Sequence, residues 1–252
     1  MKLTIIFHLV LLMASQASAA DGWHGDNHEK IRAMIGLHGR VGAQYSPKAK
    51  PVAVFDWDNT VIKNDVGDAT LFWMLANDKV RKPTDWSRTS AFLTPAAVEH
   101  LRLQCGKLPD SLPTSHHPEC ADAILAIYTE GRVAGSGVPA WSGTQNLDTI
   151  EPAYAWGVQL MAGYTPGEIA KFGEEVIRLN LARPLHATQK IGSKSYGASI
   201  RIYEPMKNLI SELQGAGFEV WISSASAQPV VEVFARRVGI AADHVIGVRA
   251  SL

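Results

Sequence analysis

The sequence predicts an α/β protein, a Rossmann-like parallel sheet into which a helical domain is inserted. An apolar run at residues 52–55 is typical of a short buried strand. Strand and helix patterns alternate again from residue 197 onward, which is the order of a parallel sheet with crossover helices. Between these two parts, residues 64–196 show helical spacing broken by loops. We therefore expect a discontinuous sheet domain.

The individual elements follow from apolar spacing and from residues that begin helices. Thr165, Pro166 and Glu168 form a capping-box pattern with proline at the first helical position. Apolar residues three and four positions apart predict the helix at 204–215. The predicted helices are 28–37, 69–76, 94–103, 121–130, 151–162, 165–181, 204–215 and 229–238. The predicted strands are 52–55, 199–203, 218–222 and 244–248.

The N-terminus has the features of a secretory signal peptide. A basic start at Lys2 precedes an apolar run at 3–13, which is too short to span a bilayer. Small residues then lead to an Ala-x-Ala pattern, so we expect cleavage near Ala19 and a secreted or periplasmic protein without a membrane span. The predicted organisation is a signal peptide (1–19), an N-terminal helical segment (20–47), a sheet core (48–63 and 197–252) and a helical cap (64–196).

Composition favours a small-molecule partner. The 252 residues include 24 Lys and Arg against 24 Asp and Glu, so there is no basic field of the kind that attracts nucleic acid. A hydrophobic fraction of 46% is sufficient to bury a core and argues against disorder. We therefore expect a folded protein that does not bind nucleic acid, and the sequence does not indicate its oligomeric state.

Two carboxylates follow the first predicted strand. Asp56 and Asp58 are one residue apart, so along an extended chain they lie on the same side. In an open parallel sheet, ligands bind at the carboxyl ends of the strands. Two like charges held close together repel each other, and a divalent cation or a shared proton relieves that repulsion. The pair therefore indicates a magnesium-type site with an acid/base role, although Asp, Asn and Thr are also ordinary turn residues.

A second polar group follows the predicted strand at 218–222. Small hydroxyl residues come next, and a predicted helix begins soon after them. A hydroxyl and free backbone N–H groups at the start of a helix can hold a phosphate. Ser224 is the preferred candidate, with Ala225 supplying an amide and Ser223 as the alternative if the register slips by one. By itself, such a serine is better explained as a helix cap, and the phosphate site is favoured only in combination with the Asp56 segment.

Together, these two stretches of sequence resemble two signatures of the haloacid dehalogenase superfamily of phosphatases. The resemblance includes residues 52–62 and 221–226 and implies that Asp56 is a nucleophile forming an aspartyl-phosphate. It makes Asp58 the acid that protonates the leaving alcohol and then the base that activates water. It also implies Mg²⁺ bound at Asp56 and Asp58, a substrate phosphate bound by Thr60, Ser224 and Ala225, and a cap inserted after the first signature.

The chain departs from this family pattern in its C-terminal part. The family carries a downstream lysine and an acidic motif, but no lysine lies between Ser224 and Leu252, and the only acids there are Glu232 and Asp243. Neither acid is part of such a motif. The resemblance therefore implies a phosphatase truncated at its C-terminus, and we expect this chain to bind magnesium weakly and to turn over poorly.

Several substrates and functions are compatible with these patterns. The stretch from 221 to 248 resembles the phosphoserine and phosphorylcholine phosphatase branch of this superfamily. Aromatic residues such as Trp57, Tyr154 and Trp156 suggest phosphorylcholine as the substrate, because aromatic rings attract quaternary ammonium groups. The alternatives are a broad-specificity acid phosphatase, a non-catalytic protein that binds phosphate esters, and a metal-dependent nuclease. The nuclease is disfavoured by the neutral charge.

The two cysteines, Cys105 and Cys120, are predicted to form a disulfide. In an exported protein, two cysteines 15 positions apart can close a loop of chain. Two free buried thiols are the alternative. A metal site is disfavoured because the tetrahedral ligand spacing is absent.

Overall fold

The computed structural model describes residues 22–143 and 151–250. The predicted signal peptide therefore lies outside the described residues. Across the two described ranges, no helix combines the length and the hydropathy needed to cross a bilayer.

Eight α-helices and seven strands are defined in the described residues. The helices are α1 (Asn27–His38), α2 (Val66–Ala76), α3 (Pro95–Cys105), α4 (Pro118–Leu125), α5 (Pro152–Gln159), α6 (Pro166–Ala182), α7 (Glu204–Gly215) and α8 (Gln228–Ala235). The strands are β1 (Val52–Phe55), β2 (Ile62–Lys63), β3 (Thr188–Ile191), β4 (Lys194–Gly197), β5 (Arg201–Ile202), β6 (Glu219–Ala227) and β7 (Val245–Val248). A π-helical turn, Ala126–Glu130, extends α4.

A three-stranded parallel sheet in the order β1-β6-β7 confirms the predicted α/β class. Phe55 pairs with Ile222, and Ile222 pairs with Val245. The last residues of β1 therefore lie beside the middle of β6, although about 160 residues separate the two strands in the chain. This register brings the acidic string after β1 next to the serine-rich end of β6.

The two faces of this sheet differ in their surroundings. Ala53 and Phe55 on β1 and Val220 on β6 pack against the hydrophobic core, where α2, α7 and α8 contact the sheet. On the opposite face, Val52 and Val54 are 57% and 62% exposed. Ile246, opposite Ser223 in the register, is 55% exposed. Parallel sheets usually have both faces covered. In this sheet, one face instead leaves aliphatic side chains in contact with water.

The insertion between the two parts of the sheet contains α2 to α6 and also a β-hairpin. Helix α6 packs along α8, which connects the insertion to the sheet. The capping box predicted at the start of α6 is present, because the Thr165 backbone N–H donates to Glu168 Oε2 at 2.8 Å. Cys105 and Cys120 form a disulfide that joins the end of α3 to the first turn of α4. The division into a core and a cap stays a prediction.

Two strand predictions were wrong. The run at 199–203 was expected to enter the parallel sheet, but β5 instead pairs antiparallel with β2. Residues 64–196 were expected to contain no strand, but β3 and β4 form an antiparallel hairpin. Its turn uses Gly192 at φ +59°, and the Ser193 N–H donates to Asp122 Oδ1 at 2.9 Å. The hairpin is therefore fixed by a contact with α4, which local sequence patterns do not reveal.

Candidate active site

The segment after β1 forms a tight turn anchored by Trp57. Its side chain is fully buried, and its carbonyl oxygen accepts hydrogen bonds from the N–H groups of Thr60 at 3.2 Å and Val61 at 2.9 Å. Asn59 has φ 57°, a left-handed conformation that Asn tolerates better than most residues. The turn reverses the chain directly after the strand and leaves Asp56 exposed at the end of β1.

Asp56 and Thr60 are brought together as neighbours. The Thr60 hydroxyl donates to Asp56 Oδ2 at 2.8 Å across one turn of the chain. This hydrogen bond fixes the orientation of an exposed carboxylate, and Oδ1 accepts no hydrogen bond from the residues in the described ranges. Asp56 is therefore positioned, accessible and able to contact a ligand.

Asp58 is half-buried and held by three hydrogen bonds. Its Oδ1 accepts from the Val66 N–H at 2.7 Å, at the start of α2. Its Oδ2 accepts from the hydroxyls of Ser224 at 3.2 Å and Ser226 at 2.9 Å. Burial, and then the negative charge of Asp65, raise the pKa of Asp58 to about 7. A carboxyl group with this pKa can both donate and accept a proton near neutral pH.

Ser224 and Ala225 lie in the strand rather than at the start of a helix. The expected boundary at 222 was wrong, because pairing with β7 continues, with an irregularity, to Ala227 and Val248. Helix α8 begins only at Gln228, and its capping residue Ala227 makes no side-chain cap. Ser224 therefore donates its hydrogen bond to Asp58 from within the strand. Ser224 and Ala225 do not form the phosphate site that was predicted at the start of a helix.

Four further residues complete the surroundings of Asp58 and were not among the predicted site residues. They are Asp65, Gly67, Asp68 and Ser226. The Asp65 side chain accepts from the Asp68 N–H at 2.9 Å and caps α2. Asp before an apolar run is a helix-start signal that identifies this role. Nothing local to Ser226, which is 5% exposed, indicates that its hydroxyl reaches a carboxylate 168 positions earlier.

Asp65 and Asp68 add two more half-buried acids near Asp58. Burial raises the pKa of Asp65, and burial together with the charge of Asp65 raises the pKa of Asp68 to about 6. The Tyr128 hydroxyl donates to Asp68 Oδ1 at 2.8 Å. Burial raises the pKa of Tyr128 well above its usual range, so this tyrosine remains a hydrogen-bond donor. Three acids therefore surround the start of α2, namely Asp58, the capping residue Asp65 and Asp68 in the first turn, and the charged form of each is disfavoured.

The side chains fit a magnesium ion only in part. Magnesium in proteins is usually held by one or two carboxylates together with waters and substrate phosphate. Asp56 offers such a carboxylate, whereas both carboxylate oxygens of Asp58 already accept hydrogen bonds. In the ranges 22–143 and 151–250, no group of three or more His, Cys, Asp or Glu side chains converges on one point. The donor set therefore suits an ion held largely by Asp56, water and phosphate.

The close contact between Gly67 and Ser226 leads to a stability prediction. A Cβ added to Gly67 would lie 2.7 Å from Ser226 Oγ, which is too close without movement of the serine. We expect Gly67→Ala to lower the free energy of unfolding by about 1–3 kcal/mol through overpacking. Urea denaturation measures this change.

Gly167→Ala is the matched control for this experiment. Gly167 is also the second residue of a helix, and an added Cβ there would have no heavy atom within 4 Å. Alanine is a better helix former than glycine, so this variant should gain up to about 1 kcal/mol. Equal effects of the two substitutions would show that Gly67 is not needed for the fit against Ser226.

The structure is similar to that of a solved protein whose function is unknown. A conserved functionally unknown protein from Anaerococcus prevotii DSM 20548 has a TM-score of 0.66 and 20% sequence identity, over 91% of this chain and 69% of that chain. At this level of identity, the likeness concerns the fold alone. No protein-family model and no curated protein matches the sequence.

Proposed function

We propose that this chain is an exported phosphomonoester hydrolase of the haloacid dehalogenase type, acting through an aspartyl-phosphate. The observation that carries the proposal is that two carboxyl groups one residue apart, at the carboxyl end of β1, have different surroundings. Asp56 is exposed and oriented by Thr60, whereas Asp58 is half-buried and has its pKa raised to about 7. An accessible carboxylate next to a carboxyl group that can hold a proton near neutral pH suits a nucleophile and an acid/base.

In the proposed reaction, an oxygen of Asp56 attacks phosphorus and the bond to the leaving alcohol breaks. Protonated Asp58 donates its proton to the leaving oxygen. Asp58 then accepts a proton from the water that attacks the aspartyl-phosphate, and phosphate leaves as Asp56 is regenerated. The Asp56 carboxylate and the Asp58 backbone carbonyl would hold Mg²⁺, which would supply positive charge that reduces the repulsion between carboxylate and phosphate. Ser224 and Ser226 keep the Asp58 carboxyl in place.

The substrate is proposed to be a small phosphomonoester. Phosphorylcholine is one candidate, but two of the aromatic residues considered for an ammonium cage are buried in the core: Trp57 is 0% and Trp156 is 1% exposed. Tyr154 is 44% exposed and is the one of the three that can contact a ligand. A broad-specificity acid phosphatase with the same nucleophile is therefore an equally supported form of the proposal.

A non-catalytic protein that binds phosphate esters is the second candidate. It is favoured by the incomplete set of metal ligands in the described part of the chain. Such a protein would bind a phosphate ester without turnover, and Asp58→Asn would leave that binding unchanged. The two functions thus differ in whether a covalent intermediate forms.

Trapping of the intermediate tests the proposal directly. The protein is incubated with magnesium and ³²P-labelled phosphomonoester, quenched in acid, and examined for label that hydroxylamine releases. We expect label on the unmodified chain and on Asp110→Asn, an exposed acid outside the site. Asp56→Asn should remove the label and lower the slow hydrolysis of p-nitrophenyl phosphate to the rate measured without protein. Hydrolysis that survives Asp56→Asn would overturn the nucleophile assignment, and binding without label would favour the non-catalytic function.

A further inference from the structure

Strand β1 is an edge of the parallel sheet, and its outer side pairs with no other strand of the described residues. The Glu219 N–H donates to the Pro51 carbonyl at 2.9 Å, which directs the backbone groups of residues 51, 53 and 55 towards β6. The N–H and carbonyl groups of Val52 and Val54 therefore point away from β6. Within residues 22–143 and 151–250, no hydrogen bond reaches these groups. Free backbone groups on an extended strand are a template for pairing with another strand.

The features that usually protect a sheet edge are absent from β1. The strand is Val-Ala-Val-Phe, without a charge or a proline, and its register with β6 has no bulge. Val52 and Val54 are 57% and 62% exposed on the open face of the sheet. The formal net charge of zero adds no long-range repulsion between two copies of the chain. Strand β1 therefore lacks the features that keep copies of a protein apart.

Two-fold symmetry selects one register for a pair of β1 strands. When the two copies pair antiparallel, residues whose backbone groups point outward must lie opposite each other. Of these registers, only the one centred on Ala53 places both valines opposite valines, with Val52 of one copy beside Val54 of the other. Lys50 and Asp56 continue the same alternation beyond the two ends of the strand. This register therefore also places Lys50 of each copy opposite Asp56 of the other, so the two edges match in apolar surface and in charge.

We propose that β1 pairs antiparallel with β1 of a second copy in this register, which joins two three-stranded sheets into one continuous sheet. The contact is the same on both copies, so the assembly closes as a dimer. Lys50 contacts Glu219 of its own chain at 3.7 Å, an exposed ion pair that contributes little and is readily exchanged. In the dimer, Lys50 of the second copy adds a cation beside Asp56. The proposal concerns association alone and requires neither metal nor turnover.

Sedimentation equilibrium of the full chain at pH 8 tests the dimer. The paired strands are short, so we expect a dissociation constant of about 10 µM to 1 mM. Val54→Lys places a charge among the valines and should weaken association by at least about tenfold. Val41→Lys is the matched control, since Val41 is 97% exposed and lies outside the sheet. Equal effects of the two substitutions, or species larger than a dimer, would overturn the proposal. A monomer up to about 1 mM would also overturn it and leave the edge to a strand of another protein.

Engineered cysteines test the register independently. Both native cysteines are in the disulfide, so a cysteine added to β1 is the one free thiol of the chain. Val52→Cys and Val54→Cys carry differently sized tags and are oxidised mildly, separately and as a mixture. In the proposed register these two positions lie about 5.5 Å apart between Cα atoms, which a disulfide can bridge. The mixture should therefore cross-link one copy of each variant, at least about tenfold faster than either variant cross-links with itself. Faster cross-linking of either variant with itself would contradict the register.

A charge exchange tests the contact between Lys50 and Asp56. Lys50→Asp places like charges opposite each other at both ends of the paired strands and should weaken association about tenfold at low salt. Lys107→Asp changes an exposed lysine of the helical insertion by the same charge and should have no effect. Adding Asp56→Lys to Lys50→Asp restores opposite charges and should recover association.

The readout of this exchange is association, so its failure is distinct from failure of the proposed phosphatase activity. Circular dichroism checks that the double variant is folded, and the cysteine cross-links decide the question if it is not. Unchanged association of Lys50→Asp, or no recovery in a folded double variant, would overturn the placement of Lys50 beside Asp56.

Discussion

Asp58→Asn should make the protein more stable at pH 8 than the unmodified chain. The pKa of Asp58 is raised from 3.8 to about 7 by burial and by the charge of Asp65. A raised pKa means that the folded state favours the protonated carboxyl. The stability contributed by Asp58 is therefore fully present below pH 3.8 and is lost as the pH rises through about 7. An asparagine stays neutral throughout and avoids that loss.

The geometry of the site allows this replacement. An amide oxygen can still accept from the Val66 N–H, and the amide NH₂ can donate to Ser224 and Ser226 once their hydroxyls rotate. We expect the free energy of unfolding at pH 8, in buffer containing a chelator, to rise by about 2–4 kcal/mol. The same variant should lose catalysis, an exchange of stability for function that is common at active sites.

Urea denaturation at pH 4 and pH 8 measures the effect. The unmodified chain should lose stability between these values, and Asp58→Asn should lose less. Asp65 and Asp68 have pKa values shifted in the same direction, so a smaller loss should remain in the variant. Asp110→Asn is the control at an exposed position, and its pH dependence should match the unmodified chain. Parallel curves for Asp58→Asn and the unmodified chain would contradict the raised pKa.

Removing the disulfide should change the free energy of unfolding by a comparable amount, but in the opposite direction. Cys105 and Cys120 are 15 positions apart and both are fully buried. In the chain-entropy account, closing a loop of this length stabilises the folded state by about 3 kcal/mol. We therefore expect replacement of both cysteines by alanine to lower the free energy of unfolding by about 3 kcal/mol.

Equilibrium denaturation with and without reductant provides the check. The unmodified chain in reductant should approach the stability of the double variant, and reductant should not change the variant itself. Thr94→Ala, which removes the cap of α3 but retains the disulfide, should cost about 1 kcal/mol and be sensitive to reductant. A double variant within about 0.5 kcal/mol of the unmodified chain would show that the loop is already ordered without the disulfide.

Features that depend on neighbours in the chain were predictable. The capping box at Thr165 and the helix at 204–215 depend on residues a few positions apart, and both are present as expected. The acidic string after β1 is equally local, because strand alternation and a turn signal are visible within a few residues. Asp56 accordingly follows β1 directly, as expected, whereas the phosphate-binding role of Thr60 stays a prediction.

Features that depend on distant parts of the chain were not predictable. The Ser226 hydroxyl donates to Asp58, which lies 168 positions earlier in the chain. Only the register of β1 with β6 brings the two residues together. The end of β6 was misplaced because its last residues are serines and alanines, while pairing with β7 keeps them extended. Neither serine nor alanine favours a strand, so the neighbouring strand decides.

The exposed face of the parallel sheet affects how the protein behaves as a colloid. Val52, Val54 and Ile246 present aliphatic surface to water. The chain has a formal net charge of zero at pH 7 and a pI of about 7.1, so molecules do not repel one another near neutrality. Short-range attraction between apolar strips is then unopposed. Solubility should consequently be lowest around pH 7 and improve on either side, so concentrated samples are best kept away from neutral pH.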